Sequence, residues 1–187
     1  LGDVYKRQDL NKIDKIAKSV LNHEGVKLLN IDPGKATNRT VITFVGPPET
    51  IVDAAYSLIS KAKELIDMRS HKGEHPRMGA VDVCPFIPIS GVSMKETVDL
   101  AHQLGKRVGS ELLIPVYCYE NAAKNNMRVN LANCRSGEYE GLKNKLRDVK
   151  WKPDYGPNKF NETVAKFGAV AIGARAVSYT HLRAHET

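Results

Sequence analysis

Two apolar, β-branched runs, Val26–Ile31 and Thr40–Val45, are separated only by residues 32–39. That gap is too short for a crossover helix, so the two runs must pair as an antiparallel hairpin. Asp32-Pro33-Gly34 ends the first run and reads as its turn. On either side of the hairpin the apolar spacing changes to that of a helix. Ile13, Ile16, Ala17, Val20 and Leu21 make one stripe over residues 9–22, with Gly25 as a stop signal. Gly46-Pro47-Pro48-Glu49 opens a second helix, with prolines at its start and an acid near the positive end of its dipole. It is expected to run from about Thr50 to Met68 and to bury Ile51, Ala54, Ala55, Leu58, Ala62, Leu65 and Ile66.

The pattern then repeats. Val81–Ile89 reads as a buried strand. Ser93 with Glu96 three residues on forms a capping box, starting a helix that carries Val98, Ala101, Leu104, Val108 and Leu112. Ile114–Tyr119 and Gly168–Ile172 read as strands, and residues 136–147 as a helix with Tyr139, Leu142 and Leu146 inward. Residues 121–134 and 152–168 are polar and read as loops. Helices alternating with strands in this way give an α/β fold, a two-layer sandwich of helices on a mixed β-sheet.

A chain of 187 residues can bury one core of its own. No apolar run reaches the ~20 residues of a membrane helix, and the first ten residues lack the apolar stretch of a signal peptide. The three cysteines, Cys84, Cys118 and Cys134, are an odd number without a CxxC spacing, which points to free thiols in a reducing cytoplasm. The net charge of +7 suits either nucleic acid or a small polyanionic substrate. Scattered lysines and only 6% aromatic residues argue for the small substrate.

The chemistry is concentrated in His71-Lys72-Gly73-Glu74-His75-Pro76-Arg77-Met78-Gly79-Ala80, where two glycines and a proline mark a loop. His71 to His75 fits the inverted zinc-protease pattern H-x-x-E-H. That chemistry needs a helix, and both Gly73 and Pro76 work against one, so no metal is expected. His75 instead suits general acid/base work, since an imidazole titrates near ~6.5. The bland alternative is a histidine that only hydrogen-bonds its own loop. Arg77 faces the same side as His75 if the segment is extended. Asp32 and Arg39 flank the hairpin turn. They are either a substrate-binding pair, arginine being able to fork onto a carboxylate, or a surface ion pair of little energetic value.

Taken together, Thr37-Asn38-Arg39-Thr40-Val41, Phe44-Val45-Gly46-Pro47-Pro48-Glu49, Leu65-Ile66-Asp67-Met68, the loop from His71 to Ala80 and Val81-Asp82-Val83-Cys84-Pro85-Phe86-Ile87-Pro88 resemble glutamate formiminotransferase. This is the folate-dependent enzyme of histidine breakdown, which also occurs fused to a cyclodeaminase. The resemblance implies transfer of a formimino group from N-formimino-L-glutamate to N5 of tetrahydrofolate, with His75 as the catalytic acid/base. Because that donor carries two carboxylates and a cationic amidine, Arg39 or Arg77 is expected to bind a carboxylate and Asp32 to pair with the amidinium. The resemblance also implies a folate-contacting stretch at Gly156, Pro157, Phe160, Asn161 and Gly168. The only cofactor implied is tetrahydrofolate, as a co-substrate.

The likeness runs over residues 9–175, taken as one N-terminal subdomain. Residues 1–8 stand where the family has its first strand, and residues 176–187 follow Gly173-Ala174-Arg175, where the family continues into a second subdomain. Both ends are expected to be non-native or disordered. The folate cleft is expected between the two subdomains, and the complete enzyme is expected to be a cytoplasmic homo-oligomer. The alternatives are a folate-binding relative without catalysis and a basic nucleic-acid-binding domain.

Overall fold

The computed structural model of the protein describes residues 9–34, 38–71 and 76–176. Helix α1 (Leu10–Lys18) is capped by the Asp9 carboxylate, which accepts from the Lys12 amide, and it tightens into a 3-10 turn at Ser19–Asn22. Ile16, Ala17 and Val20 are buried as the stripe requires. Leu21 is not: the tighter turn rotates it off the face and leaves it 48% exposed.

Strands β1 (Lys27–Gly34) and β2 (Arg39–Val45) pair antiparallel, with Leu28 opposite Phe44 and Gly34 opposite Arg39. The ladder therefore continues through Asp32-Pro33-Gly34, which belong to the strand and not to the turn. Proline is tolerated there because β1 is an edge strand, with only β2 beside it among the described residues. Helix α2 (Pro48–Leu65) begins at the expected prolines. It stops at Leu65, short of Met68, because Ile66 is already extended and Asp67 caps a separate 3-10 turn at Met68–Ser70. Its wholly buried face includes Val52 and Ile59, while Ile51, Leu65 and Ile66 are only half-buried.

Strand β3 (Val83–Phe86), helix α3 (Met94–Glu111), strand β4 (Val116–Glu120) and strand β5 (Val170–Ala174) build a parallel sheet in the order β3-β5-β4. The capping box is present: the Ser93 hydroxyl accepts from the Glu96 amide at 3.2 Å, and the Glu96 carboxylate accepts from the Ser93 amide at 2.8 Å. Strand β3 is shorter than the apolar run that contains it. Its register ends at Phe86 opposite Ala174, and Ile89 beyond it is 74% exposed. Antiparallel and parallel pairings are thus both present, but among the described residues they lie in separate sheets.

Central β5 is buried along its whole length, as the run Val-Ala-Ile-Gly-Ala suggests for a strand covered on both faces. Val116, Cys118, Val170 and Ile172 share one core with α2, α3 and hairpin residues Leu28, Ile42 and Phe44. Tyr117, Tyr119, Ala169 and Ala171 face a second core with Cys134, Leu142, Leu146 and Val164. The helices on this second side are α4 (Leu131–Arg135), α5 (Glu138–Lys145) and α6 (Glu162–Phe167). Helices α4 and α6 lie where loops were expected. Each spans under two turns, too little for an apolar period to show, and each is set by an asparagine cap, Asn130 or Asn161.

Helix α6 ends at Gly168, whose φ of +86° and ψ of −143° are open to glycine alone. A Cβ there would meet the Met78 carbonyl oxygen at 2.2 Å. Gly168→Ala should therefore lower stability by at least about 1–3 kcal/mol from backbone strain alone, read as a fall in the urea midpoint at unchanged m-value.

Candidate functional site

Residues 76–82 lie along the amino ends of the parallel strands, stitched there by main-chain bonds. Ala80 N donates to Phe167 O at 2.7 Å, Ala169 N to Met78 O at 2.9 Å, and Ala171 N to Asp82 O at 3.0 Å. Gly79 and Gly168 form an antiparallel bridge, and a Cβ on Gly79 would lie 2.1 Å from the Ala169 carbonyl oxygen. The loop that follows His75 in the chain is therefore pressed backbone to backbone against the entry to β5. His75 itself lies outside the described residues.

Side-chain charge holds the same loop from the other side. One Asp82 oxygen accepts from the Met78 amide at 2.9 Å and the other pairs with Arg135 at 2.5 Å. Arg77 is 17% exposed and meets Glu140 at 2.7 Å and Glu138 at 3.5 Å. Its Nη2 also donates to the His71 carbonyl at 3.3 Å, and its own carbonyl accepts from Tyr139 N at 2.8 Å. Expected to hold a substrate carboxylate, Arg77 is here engaged with two carboxylates of α5.

Arg39 and Asp32 sit differently. Asp32 pairs with Val41 in the hairpin register, and Arg39 lies two residues from Val41 on the same exposed face, so the two are diagonal neighbours. The Asn38 amide reaches the His71 ring at 3.5 Å and so brings the hairpin end up to the start of the loop.

The stretch expected to touch folate begins at the other end of the sheet's entry side. Tyr155 bridges Val116 at the start of β4, and Gly156, with a φ of +83°, passes so close to Ile114 that a Cβ would lie 2.2 Å from its carbonyl oxygen. Pro157 and Phe160 are half-buried, the latter packed against the second core. The Asn161 side chain accepts from Val164 N at 3.0 Å as the cap of α6. Gly168 closes the stretch against Met78 and Gly79. Lys143, Arg147, Asn158, Lys159 and Phe160 line a depression of about 220 Å³. The fold thus joins the far end of this stretch to the His75 loop, while its near end rests on α3 and β4.

Several residues important to this arrangement were not singled out in the sequence. Asp82 carried one signal, a lone acid inside the apolar run Val81–Ile89. Arg135, Glu138 and Glu140 carried none, since their partners are distant in the chain. Burial pushes the Cys118 thiol up to about 12. Among the described residues, no group of three His, Cys, Asp or Glu side chains is placed to hold a metal ion.

Residues 6–175 match the formiminotransferase domain, N-terminal subdomain. The chain belongs to this family. It is 52% identical over 163 residues to a formimidoyltransferase-cyclodeaminase of Rattus norvegicus, covering 87% of this chain and 30% of that protein. A formimidoyltransferase-cyclodeaminase of Dictyostelium discoideum is 48% identical over 169 residues, covering 90% of this chain and 31% of that protein. With a glutamate formimidoyltransferase of Thermoplasma acidophilum the identity is 45% over 170 residues, covering 90% and 55%. The chain therefore spans about a third of the fused relatives and about half of the unfused one.

Against the Trp151 ring lies a buried cation. The Lys145 ammonium donates to the carbonyls of Cys134 at 2.5 Å and Ser136 at 3.1 Å and sits 4.1 Å over the Trp151 ring. Burial, the largest cause, pushes its pKa down to about 8. Between about pH 8 and the unfolded value near ~10.4, the unfolded chain holds more protons, so this group makes stability rise with pH. The gap in unfolding free energy between the wild type and Lys145→Met should widen in favour of the wild type across that window. Denaturation midpoints taken at pH 7.5 and about 10 check the sign.

Proposed function

We propose that this chain is the N-terminal half of a cytoplasmic glutamate formimidoyltransferase, moving the formimino group of N-formimino-L-glutamate to N5 of tetrahydrofolate and releasing L-glutamate. The match over residues 6–175 to the formiminotransferase N-terminal subdomain carries this reading. The relatives' names, formimidoyltransferase-cyclodeaminase and glutamate formimidoyltransferase, supply the reaction class.

In this reading His75 takes the N5 proton as the new carbon–nitrogen bond forms. It then returns that proton to the glutamate nitrogen as the old bond breaks. One imidazole suffices because acceptance and donation follow one another. Arg39 binds a carboxylate of formiminoglutamate through its planar fork, and Asp32, diagonal to it, faces the amidinium. The residues fit a folate: half-buried Phe160 offers an aromatic face, and Lys143, Arg147 and Lys159 around it offer cations to the carboxylates of its glutamate tail. The second subdomain of the family is assigned the opposite wall of the cleft, so both substrates are held as one pair and not met by diffusion.

In the transferase-length protein that contains this chain, His75→Ala should cut kcat by about 10²–10⁴-fold with little change in either KM. Arg39→Ala should raise KM for formiminoglutamate alone. Steady-state assays with each substrate varied in turn make the test. A His75→Ala enzyme at full speed would remove the imidazole from the mechanism. A wild-type protein without formimino transfer would sink the reading entirely.

A further inference from the structure

One ion pair is the most deeply buried among the described residues. Arg128 and Asp154 meet at 2.5 Å with side chains only 5% and 4% exposed. Removing two charges from water is costly, and apolar side chains of similar volume stabilise a fold as well or better. This pair is also imperfect, since the Arg128 Nε is buried without a hydrogen-bond partner. Stability alone does not account for it.

What the pair adds is direction. Arg128 Nη2 donates to the Lys152 carbonyl at 2.6 Å, and the second Asp154 oxygen accepts from Cys118 N of β4 at 2.8 Å. Asp154 N donates to Val116 O at 2.9 Å, and Val116 N to Tyr155 O at 2.9 Å. The Tyr155 hydroxyl reaches His102 Nδ1 at 3.0 Å. The chain is therefore fixed at Lys152, Asp154 and Tyr155, with Arg128 and Asp154 at the hub. Gly156 and Pro157 come next, in the tight space beside Ile114.

We propose that Arg128 and Asp154 are positioning residues for tetrahydrofolate: their ion pair sets the angle at which the folate-contacting stretch leaves the sheet at Gly156–Pro157. This rests on the transferase reading above. Neither side chain needs to touch a substrate. A guanidinium is required because one planar fork must serve a carboxylate and a main-chain carbonyl together, which an ammonium does with poorer geometry.

The test uses the transferase-length protein, with Arg128→Lys and the apolar pair Arg128→Met/Asp154→Leu. The second variant leaves no unpaired buried charge and carries the test if the first fails to fold. With thermal unfolding still cooperative, KM for tetrahydrofolate should rise by about tenfold, while kcat and KM for formiminoglutamate stay within about twofold. An unchanged KM for tetrahydrofolate in a folded variant overturns the proposal. So does an equal loss in kcat and both KM values, which would mark a merely structural pair. A wild type without formimino transfer defeats the transferase reading itself, a different result from an active wild type with indifferent variants.

Discussion

Gly79 and Gly168 cross with no side chain between them, and the candidate site depends on that crossing. The bridge presses the segment after His75 onto the end of α6 and the entry of β5, the strand that also holds β3 and β4 together. Main-chain bonds from Ala80, Ala169 and Ala171 surround the crossing, so residues 78–82 share the stiffness of β5, which is buried along its whole length. Loops held in this way can carry reactive groups without being mobile themselves. The acid–base pairs Asp82–Arg135 and Arg77–Glu140 fasten the outer side of the same segment to α4 and α5.

Much of the architecture was legible in local signals. The Ser93–Glu96 capping box, the prolines opening α2 and the short gap between β1 and β2 each produced the element they imply. Where local reading fell short, the cause is identifiable. Pro33 reads as punctuation, yet an edge strand accepts it. Helix α6 has its cap at Asn161 and its stop at Gly168, both visible in the sequence, but six residues are too few for a period. Val81–Ile89 is apolar but for Asp82, yet only Val83–Phe86 is strand, since pairing is decided by the length of β5.

The site was legible unevenly. Charge density singled out residues 71–80, and the short gap was read as bringing Asp32 and Arg39 to one edge; the register makes them diagonal neighbours. The internal charges could not be read in the same way. Arg128 and Lys145 occur among polar neighbours and look like surface residues, but each is buried by groups remote in sequence: Asp154 for one, the carbonyls of Cys134 and Ser136 for the other. Arg77 was singled out by its neighbours, while its commitment to Glu138 and Glu140 required the fold.

The separateness of the β1–β2 hairpin has a consequence for how the protein breathes. Among the described residues its ladder bonds close only on themselves, and Leu28, Ile42 and Phe44 attach it to the remainder through apolar packing. A unit whose strands pair only with each other among the described residues opens at a lower free-energy cost than one woven into the central ladder. Its amide hydrogens should therefore exchange with solvent deuterium by an excursion that leaves β3, β5 and β4 closed. Asp32, Asn38 and Arg39 ride on that looser unit and would move with it while the parallel sheet stays closed.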